Sequence, residues 1–151
     1  MRGHHSAIVA ILLGGTIAGL VDIGAASAIN GFINPAGIAK FIAGGLIGLP
    51  AVRAGGMEIV VLGVALQVGM SILIAAIYGF GASLLPILKR HWLPAGLAFG
   101  VGVFFVMEYA VFPHSAIGRY PTFTPASFAL NMAAMLLFGV IIAWFARGER
   151  R

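Results

Sequence analysis

Four apolar runs, each long enough to cross a bilayer and nearly empty of charge, decide what this chain can become. They cover about residues 7–29, 57–85, 93–112 and 125–145. A helix needs about 20 residues to span the hydrocarbon layer. Hydrophobic residues make up 61% of the chain and charged residues 9%, and the mean hydropathy is +1.07. Soluble domains carry about a quarter charged residues. A soluble chain of 151 residues has too little interior to hide so much apolar surface. Lipid is therefore the solvent over most of its length. Lipid offers no partner to an open strand, so each span is a helix. The expected fold is an all-α integral membrane protein, a single membrane domain over residues 1–151 with a four-helix bundle of transmembrane spans.

The connections are read from their breakers. Asn30, Asn34, Pro35 and Gly37 interrupt the first span. The run 38–49 is apolar but too short to cross, and reads as a short re-entrant or interfacial helix. Residues 50–56 form a loop carrying Arg53. The second span exceeds the needed length, so it tilts or overhangs. Pro86 ends it, and Lys89-Arg90-His91 make a basic turn. Pro94 suits the first turn of the third span. A polar loop, 113–121, comes next. Thr124 is expected to cap the fourth span, with Pro125 at its first helical position. The start, Met1 to Ser6, is short and basic, but the run behind it exceeds a signal-peptide core, so it reads as a retained first span.

Orientation is set by the cations. Arg2, Lys89, Arg90, Arg147, Arg150 and Arg151 fall on the side of the two termini. Lys40, Arg53 and Arg119 fall on the other. Six against three places both termini in the cytoplasm, with Trp92 and Trp144 at that interface. The net charge of +5 is thus a topology signal, not a nucleic-acid footprint. The absence of cysteine excludes disulfides and thiolate metal sites.

Of four acidic residues, three lie in or beside the apolar runs: Asp22, Glu58 and Glu108. A carboxylate at membrane depth is costly and usually faces a partner or a wet cavity. Threading the spans puts Asp22, Glu58, Glu108 and Asn131 in the exoplasmic half. His114, Arg119, Lys40 and Arg53 lie in the adjoining connections, and Gln67 is deepest, near the middle of its span. The expected site is a polar pocket of Asp22, Glu58, Gln67, Glu108, His114, Arg119 and Asn131. The alternative is that these residues staple loops to helix ends; an acid at a helix start, as Glu58 is, suits the dipole. His4 and His5 read as a solvated basic start. No metal site, cofactor or catalytic motif is expected.

Gly15-xxx-Gly19, Gly44-xxx-Gly48 and Gly96-xxx-Gly100 each offer a flat strip for close helix approach. They serve packing within the bundle or contact with another chain.

The stretch from Gly14-Gly15 through Gly19 to Asp22 and the run Ile42-Ala43-Gly44-Gly45-Leu46-Ile47-Gly48 resemble uncharacterised four-span inner-membrane proteins of proteobacteria. So do Met107-Glu108-Tyr109-Ala110-Val111-Phe112-Pro113-His114-Ser115-Ala116 and Phe138-Gly139. More distantly, the chain is similar to the YagU-type inner-membrane family. The likeness covers most of the chain through loose motifs. It implies four helices and a bacterial inner-membrane location, and no activity. It also implies histidines in the second and fourth spans, where this chain has Gln67, Ala134 and Met135.

Two functions fit these features. The first is a non-catalytic accessory or scaffold subunit, packed against other membrane-protein subunits and holding lipid or a hydrophobic cofactor at the seam. The second is a small homo-oligomeric transporter or channel, with Asp22 and Glu108 binding a cation or proton. A lipid enzyme built on Glu108, His114 and Arg119 ranks last, because no nucleophile–base pair is recognisable.

Overall fold

The computed structural model describes residues 2–31 and 34–148, with side chains from Ser6 onward. The tail cations Arg150 and Arg151, and the side chains of Arg2, His4 and His5, lie outside the described part. Among the described residues the fold is all-helical. Its elements are α1 (Arg2–Ile29), α2 (Pro35–Ile47), α3 (Leu49–Ala54), α4 (Met57–Leu84), α5 (Ile87–Arg90), α6 (Trp92–Val106) and α7 (Pro125–Arg147). A π-helical turn, Met107–Val111, extends α6. Four segments are long and apolar enough to cross a membrane: Ser6–Ile29, Met57–Leu84, Trp92–Val111 and Pro125–Arg147. Only 22–28% of each is buried inside the protein, so the rest of their apolar surface must meet lipid or another apolar partner. By length and composition this is a multi-pass membrane protein.

The caps explain the helix starts. Thr124 accepts from the Ser127 amide at 3.1 Å while Ser127 Oγ accepts from the Thr124 amide at 2.9 Å, with Pro125 first in the helix. Asn34-Pro35 works the same way. The Asn34 side chain accepts from the Ala36 amide at 3.0 Å, so α2 begins at Pro35 rather than at Ile38. Gly48, at φ 85°, breaks the chain after α2, and Leu49-Pro50 open a further short helix. The expected loop 50–56 is thus mostly helical, and carries Arg53 in the last turn of α3.

The helices are arranged in a row that curls on itself. α6 packs on α7, α7 on α1, α1 on α4, and α4 on α2. Small residues set the spacing. A Cβ on Gly15 would strike the Ile72 backbone, and one on Gly139 would overlap the backbone of Gly96 and Gly100. Gly63 lies directly under the Ala39 carbonyl, which seats α2 on α4. The glycines at 15, 19, 96 and 100 therefore serve seams within the bundle. Gly44 meets the side chains of Leu49 and Val52, while Gly48 makes a turn rather than a helix contact.

The core sits toward the end that carries the termini. It joins Ala18, Ala75, Tyr78, Ala82, Phe138, Ile142, Ala143 and Ala146. Tyr78 meets Phe99 edge-on at 4.9 Å between ring centres. At the opposite end, formed by the connections 34–56 and 112–124, the helices part around aromatic rings. Phe104, fully buried, is flanked by Phe123 and Phe128 at 5.8 and 5.2 Å.

Candidate functional site

Where the helices part, residues of α1, α2, α4, α6 and α7 enclose a cleft of about 560 Å³. Its polar lining is Asp22, Asn30, Gln67, Glu108, Arg119, Tyr120, Thr122, Ser127 and Asn131. Its apolar walls include Phe41, Phe104, Phe112 and Phe123.

Asp22 lies two turns from the end of α1. What brings a partner to it is Gly19, one turn earlier. A Cβ there would stand 2.6 Å from Ser71 Oγ, so its absence lets α1 press against α4. The approach puts buried Gln67 within reach. Its Nε2 donates to Asp22 Oδ2 at 2.8 Å, and lies 3.4 Å from the Gly19 carbonyl. The carboxamide thus fixes one carboxylate oxygen in place at the inner end of the cleft.

Glu108 comes from the π-helical turn. There the Phe112 amide donates to the Met107 carbonyl, five residues back, at 2.8 Å. A π-turn inserts one residue into the α-helical register, and such turns are frequent at functional sites. The extra residue rotates the downstream chain by about 100°. Phe112 accordingly lines the cleft and meets Phe41 of α2 at 5.9 Å. Glu108 is half-buried and lines the same cleft as Asp22.

On α7, Asn131 Nδ2 donates to the Ser127 carbonyl at 2.7 Å, one turn back toward the capping box. Arg119 and the segment 120–123 wall the cleft from the connection after α6. That connection is tied to α2 by the Ala116 amide, which donates to the Gly45 carbonyl at 2.8 Å.

Of the seven residues expected in one pocket, Asp22, Gln67, Glu108, Arg119 and Asn131 line this cleft, and Glu58 and His114 do not. Glu58 is exposed, and its Oε1 accepts from the Gly56 amide at 2.8 Å, closing the start of its own helix. His114 is exposed, with Nδ1 donating to the Ala110 carbonyl at 2.7 Å. Of Glu108, His114 and Arg119, Glu108 and Arg119 line the cleft and His114 does not. Asn30, Ser127 and the phenylalanine walls were not legible as site residues. Asn30 reads as a helix breaker and Ser127 as a cap, and a phenylalanine in a lipid-soluble chain carries no signal of its own.

Among the described residues no group of three or more His, Asp or Glu is placed to hold a metal ion. The cleft offers two carboxylates, three carboxamides, hydroxyls and aromatic faces, with a guanidinium in the wall. That set favours a cation or a proton over an anion, since a positive charge relieves the carboxylate pair and aromatic faces attract it. Compared with family models, curated proteins and solved structures, the chain matches none. The likeness to YagU-type proteins finds no support there.

Proposed function

We propose that this is a bacterial inner-membrane protein whose working part is the cleft, and that it takes up a cation or proton from the exoplasmic side. The reading rests on one observation: Asp22 and Glu108, from two different spans, share a cleft to which every span contributes. Two like charges at membrane depth are costly unless a counter-charge or a proton joins them. Gln67 orients Asp22, and the π-turn carries Glu108. With four spans, a pathway is most simply completed by several copies of the chain. Both termini are cytoplasmic by the balance of Lys and Arg.

The test is flux. Purified protein in liposomes should pass protons, alkali cations or small ammonium ions above the rate of empty vesicles. Asp22→Asn and Glu108→Gln should each lower that rate at least about tenfold. Gln67→Leu should lower it less, because the Asp22 carboxyl remains and loses only its support. Wild-type vesicles that pass none of these ions, and bind none, would refute the proposal.

A second reading, docking against another membrane chain, has its own support. The outward stripe of α4 runs through Met57, Val61, Leu73, Ile77, Phe80 and Leu84, all more than half exposed. Midway, Ala65 and Gly69 make a small-residue notch, and a Cβ on Gly69 would meet nothing within 4 Å. Such a notch suits close approach of another helix. A second copy of this chain would fit it, and that occupant unites the two readings.

A further inference from the structure

At the end opposite the cleft, a basic hollow of about 370 Å³ is lined by Lys89, Arg90, Trp92, Arg147 and Gly148. Its geometry is set by two tryptophans. The Arg147 guanidinium lies 4.6 Å from the Trp92 ring centre and 5.3 Å from that of Trp144. Held against both rings, the guanidinium keeps its charge at the hollow while the rings limit its freedom. Arg90, exposed in the last turn of α5, brings a second guanidinium to the same hollow. Trp92 opens α6, and among the described residues no side chain caps that helix start. Its first amides and its dipole therefore add to the positive field.

The surroundings select the source of the anion. Leu85 and Ile87 nearby are 56% and 61% exposed, and Trp144 47%. Tryptophan favours headgroup depth, and the exposed aliphatic side chains continue along the spans into the hydrocarbon. A free phosphate has no use for such a surface, whereas a phospholipid covers it with an acyl chain. A second hollow, lined by Pro86, Ile87, Lys89, Arg90 and His91, adjoins it and shares Lys89 and Arg90. We propose that this basic hollow is a binding site for the phosphodiester headgroup of an anionic phospholipid, with Arg90 and Arg147 as its anchors.

The experiment uses the full chain in mild detergent, with native mass spectrometry and thermal shift as readouts. Phosphatidylglycerol and cardiolipin should remain bound and raise the melting temperature; phosphatidylcholine should do neither. Each juxtamembrane cation is worth about fivefold in affinity, so Arg90→Gln should weaken binding about fivefold and the Arg90→Gln, Arg147→Gln pair about 25-fold. Arg90 is exposed, so its single variant stays informative if loss of Arg147 unfolds the chain. Arg53→Gln, at the other end, should bind as wild type does. Equal binding of phosphatidylcholine, or unchanged binding by Arg90→Gln, overturns the site. A shift of the same size with inorganic phosphate alone overturns its assignment to lipid.

Discussion

Gly63→Ala is the smallest change that tests how the cleft is built. A Cβ there would stand 3.0 Å from the Ala39 Cα and closer still to its carbonyl carbon and oxygen. All three are backbone atoms, so no rotamer can yield. Ordinary contact between carbons begins near about 3.5 Å, so α2 must retreat by about 1–2 Å. Overpacking of this kind costs about 1–3 kcal/mol, and an unyielding backbone puts Gly63→Ala at the upper end. At about 2–4 °C per kcal/mol for a chain of this size, the melting temperature should fall by about 4–12 °C. The cleft should suffer too, since Ile38, Phe41 and Ile42 of α2 line it. Gly24→Ala is the control. It also lies in a span, nothing stands within 4 Å of its would-be Cβ, and alanine is the better helix former by up to about 1 kcal/mol. The assay is thermal unfolding in one detergent, tracked by the fluorescence of Trp92 and Trp144. The two substitutions should shift the midpoint in opposite directions, or leave Gly24→Ala unmoved. A Gly63→Ala protein that melts within about 1 °C of wild type would refute the seating of α2 on α4.

Two more outcomes are expected besides those of the flux and lipid experiments. Gly69→Leu fills the notch on α4 without touching the bundle, so it should convert a homo-oligomer to monomer in light scattering while leaving the monomer folded; an unchanged mass removes α4 as the interface. The chain has no cysteine, so Ser115→Cys and Arg90→Cys give clean topology probes. An impermeant maleimide applied to intact spheroplasts should label position 115 and spare position 90, and the reverse pattern would invert the proposed orientation.

The sequence shows some parts of this architecture openly and hides others for identifiable reasons. Spans were legible because hydropathy over about 20 residues is a one-dimensional property. Thr124-Pro125 was legible because a cap and its helix are neighbours. Asn34-Pro35 carries the same signal, yet Gly37 just beyond it made it read as a break, and α2 starts at Pro35 rather than at Ile38. The Asp22–Gln67 bond joins residues 45 apart. Its cause is the bare backbone of Gly19 against Ser71, which no periodicity reveals. The π-turn under Glu108 is equally hidden, since Met107–Val111 has an ordinary helical composition and the wide turn is a product of packing. Glu58 is the residue where the alternative, an acid closing a helix start, is what the structure shows. Its place at the mouth of a span suggested a pocket, and the cheaper local partner, the Gly56 amide, takes it.

Why α6 and α7 part at one end is explained by where their small residues stop. In the half nearer the termini, Gly15, Gly96, Gly100 and Gly139 bring helix backbones into direct contact, and alanines fill the remaining space. Past Gly100, the inward residue of α6 becomes Phe104, and Phe123 and Phe128 gather around it. Rings of that size hold the helices apart, and the gap between them has to be filled. The chain does part of this with α2 and the connection after α6, which meet through Phe41 and Phe112. The space left over is the one that Asp22, Gln67 and Glu108 line. The carboxylates therefore stand in the space that the phenylalanines open, and the small residues that close the α6–α7 seam nearer the termini mark where that space begins.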